Sequence, residues 1–200
     1  MKNSISILFL GLFLLVGCQS GTKEAKPESA VENDTVSVKK IETKKVMADA
    51  ATILSKKEVP ILCYHNIREF SNTASDVMKT NTVKPAAFAA QMKTLSDAGY
   101  HTILPEQLYN YLAFDGPLPE KPIMITFDDT RIDQFTNGAA EMKKYGFKGV
   151  FFIMTVAINR PGYMTKEEIK SLSDDGHVIA SHTWDHHMVT KYSGEDWNTQ

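Results

Sequence analysis

Residues 122–135 read PIMITFDDTRIDQF. An apolar run from Pro122 to Phe127 leads straight into two adjacent carboxylates, Asp128 and Asp129, and then into a segment with helical character. An unbroken apolar run of this length, bounded by a polar turn, predicts a strand covered on both faces. The carboxylates at its end repel each other unless a cation lies between them or their roles are separated. Whatever separates them has to come from elsewhere in the chain.

The same strand-then-helix pattern repeats on either side. VPILCYH (59–65) predicts a buried strand, and KPAAFAAQMKTLSDAG (84–99) a helix that starts at Pro85, turns Phe88, Met92 and Leu95 to one face and stops at Gly99. YHTIL (100–104) predicts a second strand and PEQLYNYLAF (105–114) a second helix, with PIMITF as the third strand. DQFTNGAAEMKKYG (133–146) predicts a helix closed by Lys143, Lys144 and Gly146. FKGVFFIM (147–154) is the fourth strand. TKEEIKSLSDDG (165–176) has capping-box spacing between Thr165 and Glu168, and HVIAS (177–181) is the fifth strand, followed by HTWDHH. Five alternations predict an α/β fold with a parallel sheet and crossover helices. Periodicity alone does not separate a (β/α) barrel from an open doubly wound sheet. A full barrel needs about 200–250 residues, so residues 59–200 predict an incomplete one.

Composition sets the outer bounds. With 42% hydrophobic and 23% charged residues the chain has room for one globular domain. A balance of 22 basic against 24 acidic residues gives no electrostatic reason to expect nucleic acid. There is no GxGxxG after the first strand and no GxxxxGK[ST], so no nucleotide is expected, and no GxSxG elbow offers a serine nucleophile. The amino terminus, MKNSISILFLGLFLLVGCQS, has an apolar core too short for a membrane span. Its LLVGC resembles a bacterial lipobox, which implies a signal peptide over 1–17 and a lipidated Cys18 that anchors the protein to a membrane. Residues 18–57, rich in Lys, Glu, Ser and Thr, read as a flexible tether whose last part could form a helical turn or two. Residues 58–200 are left as the folded domain.

In parallel βα folds functional groups gather where strands end. Three such ends carry chemistry: His65 after the first strand, Asp128 and Asp129 after the third, and His182 with His186 after the fifth. On a helical turn, histidines four apart share one side and can hold one ion. Two imidazoles with one carboxylate suit Zn²⁺ or a similar divalent metal, and the second carboxylate is then free to take a proton. The plain alternatives are that the aspartates cap the following helix, that His182 is a hydrogen-bonded core residue, and that His186 is a surface one. Cys63, flanked by Ile61, Leu62 and Tyr64, reads as a buried small hydrophobe, Tyr64 as packing and Trp184 as a core plug. Arg131 is placed to orient an aspartate or meet a substrate; His187 should point away from the site, and His101 and His177 flank strands without nameable partners.

TFDD (126–129) followed by HTWDH (182–186) resembles the first two motifs, TFDDG and H[S/T]xxH, of the NodB-homology polysaccharide deacetylases, carbohydrate esterase family 4. MKKYGFKGVFFI and SDDGHVIASHT are similar to the same family. VPILCYHNI and FAAQMKTLSDAGYHTI are similar to its subgroup acting on poly-N-acetylglucosamine. The resemblance covers roughly residues 59–200 and implies a distorted (β/α) barrel. It implies a metal held by Asp129, His182 and His186, with Asp128 as general base. In that subgroup the motif order is circularly permuted, which implies His65 as general acid. The implied activity is hydrolysis of N-acetyl groups from an N-acetylglucosamine polysaccharide by a Zn²⁺-type enzyme of the cell envelope, facing the periplasm or in the outer membrane. Two rival readings are a non-catalytic glycan-binding lipoprotein and an O-deacetylase of a polymer such as xylan. Two departures from the family stand out: Thr130 occupies the position of the family's glycine, and its later segments do not occur before Gln200.

Overall fold

The computed structural model describes residues 46–200. The expected signal segment 1–17, Cys18 and the tether as far as residue 45 lie outside the described residues. Residues 46–57 are part of what is seen. Helix α1 (Ala50–Ser55), capped by the Asp49 carboxylate on the Thr52 N–H, precedes the first strand. The Ala48 N–H donates to the Ala113 carbonyl and the Tyr111 hydroxyl to that of Lys57, which ties this segment to a later helix.

From there the elements alternate: β1 (Ile61–Tyr64), β2 (Asn66–Ile67), α2 (Asp76–Thr80), β3 (Thr82–Val83), α3 (Pro85–Asp97), β4 (His101–Thr102), α4 (Pro105–Phe114) and β5 (Pro122–Phe127). A π-helical stretch (Gln134–Ala139) then leads into α5 (Ala140–Lys143), followed by β6 (Val150–Ile153), α6 (Lys166–Asp174), β7 (Val178–Ser181) and α7 (Asp196–Thr199). Prolines at the first position of α3 and α4 and the Thr165/Glu168 capping box of α6 start these helices where their sequences predict. The main sheet runs β1–β5–β6–β7 with every pair parallel, and β4 pairs with the first two residues of β5. Along β1–β5–β6–β7 strand order follows chain order, with β4 off this path and β2 and β3 in a separate two-stranded sheet. That monotonic path is compatible with a (β/α) barrel and shows no reversal of strand order of the kind that marks a doubly wound sheet.

Register aligns the strand ends. Tyr64 sits opposite Phe127, Phe127 opposite Phe151, and Ile153 opposite Ser181. The rings of the first three residues form a row across the sheet, Phe127 stacked on Phe151 at 4.6 Å and on Tyr64 at 5.8 Å, with Phe88 of α3 edge-on to Tyr64 at 5.0 Å. Each wholly buried ring contributes about 1.5–3 kcal/mol. This aromatic floor lies beneath the strand ends that carry the polar residues.

Several elements differ from their sequence reading. β5 is buried nearly throughout, as its apolar run requires, but β1 lies at the sheet's edge among the described residues and exposes Ile61 and Cys63. Cys63 is therefore not the buried hydrophobe its apolar neighbours suggest. The strand expected over 100–104 contracts to His101–Thr102. The helix expected from residue 133 begins as a π-turn, which packs Gly138 against β2 and β5. A Cβ on Gly138 would lie 2.9 Å from Ile67 Cδ1, so the close approach depends on having none. His177, left without a partner in the sequence, is buried; its Nδ1 accepts the Gly149 N–H at 3.0 Å, and its ring meets Phe151 edge-on.

Burial, reinforced by the charge of Lys148, pushes His177 from its ordinary value of 6.5 down to about 4. Below pH 6.5 the unfolded chain takes up a proton there that the folded chain refuses. The His177 contribution is thus fully present above pH 6.5 and is lost as pH falls toward 4, a loss of about 3 kcal/mol at most, reduced by solvent screening to roughly 2 kcal/mol. Denaturant melts between pH 7 and pH 4 should show a shallower acid decline in His177→Asn, which keeps an acceptor but does not titrate.

Candidate metal centre and acid–base pair

The turn after β5 answers the question raised by the paired aspartates. Asp129 and Thr130 both have left-handed backbone, with φ of 78° and 61°. The bend sends the two carboxylates to different partners. A carboxylate oxygen of Asp129 joins ring nitrogens of His182 and His186, all within 4.8 Å of one another, and one of Asp128 joins His65 and the Cys63 sulfur within the same limit. Neither aspartate caps the next helix, whose N-cap is Asp133 with no side-chain cap bond.

His182 and His186 converge, although not on a helix. The His182 N–H continues the β6 pairing by donating to the Ile153 carbonyl at 2.9 Å. Thr183 (φ 63°) and His186 (φ 62°) then reverse the chain, and Thr183 Oγ1 accepts the His186 N–H at 3.1 Å. The imidazoles end 4.6 Å apart between ring centres. Left-handed backbone at non-glycine residues costs about 1–2 kcal/mol each, so the loop is held by its contacts. Among these, the Val156 N–H donates to the Trp184 carbonyl at 3.0 Å.

The donor set fits a divalent cation. His182 Nε2 is buried, has no hydrogen-bond partner among the described residues, and lies 3.4 Å from Asp129 Oδ1. An orphaned imidazole nitrogen beside a carboxylate and a second imidazole matches the two-nitrogen, one-oxygen set with open positions that catalytic Zn²⁺ uses. Beside His182 and His186, a depression of about 370 Å³ is bounded by Met188, Val189 and Tyr192.

His65 and Asp128 meet because of strand register. The Asp128 N–H donates to the Tyr64 carbonyl at 3.0 Å, which extends the β1–β5 ladder one step past the strands. Sequence reasoning missed the brace that holds this step. Gln134, wholly buried on the π-turn, donates its amide to the His65 carbonyl at 2.7 Å and also to the Asp128 carbonyl. Asn137 donates to the Ile67 carbonyl at 2.7 Å, and buried Asp133 pairs with Arg68 at 2.6 Å. The only sequence signal for this brace was a run of polar residues where a helix faces a strand.

The remaining candidates take other parts. Arg131 stacks on Tyr163 at 4.5 Å and forms no ion pair with either aspartate. Trp184 is 43% exposed, so it plugs no core. His187 lines the depression beside His182 and His186 and stacks on Tyr192, and Tyr64 packs with its hydroxyl on Gln91. Partial desolvation of its sulfur raises the Cys63 thiol above its ordinary value; a hydrogen bond with Thr126 opposes this, and the Asp128 carboxylate adds to it.

With this geometry in place, residues 115–200 match the family model described as polysaccharide deacetylase. The Bacillus subtilis protein YxkH, provisionally named a polysaccharide deacetylase, is 31% identical over 192 residues, 90% of this chain and 65% of YxkH. A poly-β-1,6-N-acetyl-D-glucosamine N-deacetylase of Staphylococcus aureus is 27% identical over 146 residues, 65% of this chain and 49% of its own length. The solved structure of the Streptococcus pyogenes deacetylase PplD in complex with acetate aligns with a TM-score of 0.62 at 27% identity, covering 70% of this chain and 63% of PplD. The chain spans less than two thirds of the length of each of these relatives.

Thr130 is the position where the left-handed turn would favour glycine. It is fully buried, its Oγ1 accepts the Met154 N–H at 2.7 Å, and its carbonyl accepts that of Met164 at 3.0 Å. The hydroxyl compensates for the backbone strain by pairing a buried N–H. Thr130→Val keeps the β-branched strain and removes the acceptor, so thermal or denaturant unfolding should show a loss of about 1–3 kcal/mol. Thr130→Ser should recover most of it.

Proposed function

We propose that the chain carries a polysaccharide deacetylase domain, as its matches support, and that it is a metal-dependent hydrolase that removes N-acetyl groups from an N-acetylglucosamine polysaccharide at the cell envelope. The observation that carries this reading is the division of labour between the adjacent carboxylates, Asp129 turned to His182 and His186 and Asp128 to His65. A divalent cation such as Zn²⁺, held by Asp129, His182 and His186, would supply Lewis acidity toward the acetamide carbonyl and make water a better nucleophile near neutral pH.

The chain's own groups handle the protons. Asp128 takes the proton from the attacking water. His65 gives a proton to the amide nitrogen as its bond to the acetyl carbon breaks, because a bare amine anion is a very poor leaving group. The products are acetate and a free amino sugar. Gln134 holds the backbone of both residues, so donor and acceptor keep a fixed spacing. The name of the staphylococcal relative supports poly-N-acetylglucosamine as the substrate class.

Acetate release from N-acetylglucosamine oligomers tests this directly. Asp128→Asn should lower kcat by about 10²–10⁴-fold while metal content, measured by elemental analysis, stays near the wild-type value. Undiminished turnover in that variant would remove the base assignment. No release from the wild type at any metal loading would favour the glycan-binding reading, and faster release from acetylated xylan would favour ester hydrolysis.

The envelope location rests on the LLVGC segment, which supports a lipid anchor at Cys18. Fractionation of cells carrying Cys18→Ala should move the protein out of the membrane fraction, and soluble wild type would refute the anchor.

A further inference from the structure

Strand geometry creates a second cluster beside the first. Residues two apart on a strand share a face, so Cys63 and His65 project together from the end of β1. The paired strand does the same with Thr126 and Asp128, and Cys63 is in register with Thr126. The Cys63 sulfur, a ring nitrogen of His65 and a carboxylate oxygen of Asp128 all lie within 4.8 Å of one another. Among the described residues Cys63 is exposed and β1 has one unpaired edge, so the cluster is open on that side.

We propose that Cys63, His65 and Asp128 form a second cation site, suited to a thiophilic divalent ion. Donor atoms around one tetrahedral ion of zinc size lie about 3.5 Å apart. A closing movement of about 1 Å by side-chain rotation, with the backbone unmoved, brings the three into that range, and a larger soft ion needs less. The donor chemistry separates this site from its neighbour. Asp129, His182 and His186 offer two nitrogens and an oxygen, whereas the second cluster adds a sulfur, which favours softer cations. Charge is also matched: the thiolate and the Asp128 carboxylate together neutralise a divalent ion. Binding releases the thiol proton to solvent.

On the reading of His65 and Asp128 given under Proposed function, such an ion blocks proton transfer. It occupies the lone pairs that the acid and the base use, so excess thiophilic metal inhibits by a route separate from displacement of the first ion.

Cd²⁺ is the probe, titrated into the full chain after metal removal. Two equivalents should bind, with an ultraviolet thiolate-to-cadmium charge-transfer band and release of a proton to the buffer. Cys63→Ser, at an exposed position that tolerates the change, should lose the band and bind one equivalent. His186→Ala should keep the band and lose the other equivalent, and His65→Gln should weaken the band-forming step. A wild type that binds a single equivalent, or that binds two without the band, overturns the proposal. In activity assays on the Zn²⁺-loaded protein, added Cd²⁺ should lower acetate release at least about tenfold further in wild type than in Cys63→Ser, each protein compared with its own Zn²⁺-only rate; equal inhibition overturns the inhibitory role. If acetate is never released, the deacetylase reading fails, and the charge-transfer band and stoichiometry still decide the second site.

Discussion

Two like charges on consecutive residues cannot share one environment at low cost, and the local structure depends on how the backbone keeps them apart. The left-handed turn at Asp129 and Thr130 is the device. An extended continuation of β5 would send the two side chains to opposite faces of the sheet. The turn instead keeps both at the carboxyl-terminal edge, Asp128 toward β1 and Asp129 toward the loop after β7. The two groups can then hold different partners a few ångströms apart.

Such a turn is strained, and the surroundings hold it. Thr130 pairs its hydroxyl with the Met154 N–H and its carbonyl with that of Met164, which locks the turn to the segments that follow β6. Gln134 reaches from the π-turn to the carbonyls of His65 and Asp128. Beneath both lies the row of Tyr64, Phe127 and Phe151, set by parallel register. Rigid apolar packing below and paired polar groups around the edge are what a preorganised site needs. π-turns of this kind concentrate at functional sites; here the turn packs Gly138 closely on Ile67 and Phe127 while Gln134 and Asn137 hydrogen-bond to the strand-end backbone.

The agreement between geometry and relatives has a physical basis. The matched region, residues 115–200, contains β5, β6, β7 and the loops that carry Asp128, Asp129, His182 and His186. His65 lies before it on β1, and it reaches the same edge because β1 pairs with β5 in parallel and in register. A residue distant in the chain thus joins the others through hydrogen-bonded strand alignment.

By itself the sequence determined the alternation of strands and helices, the helix starts at Pro85, Pro105 and Thr165, and the placement of His65, Asp128, Asp129, His182 and His186 at strand ends, because apolar periodicity and capping chemistry are local properties. It did not determine that β1 lies at the sheet's edge among the described residues with Cys63 exposed, because burial depends on which strands lie alongside. Nor did it reveal that His182 and His186 converge through a left-handed loop, that Gln134 braces the backbone of His65 and Asp128, or that His177 is a buried acceptor for Gly149. Those features arise from contacts between residues far apart in the chain. The family resemblance implied which carboxylate serves which partner, but the physical cause is tertiary: left-handed backbone at Asp129 and Thr130 sets it, and the hydrogen bonds of Thr130 to distant backbone help hold that turn.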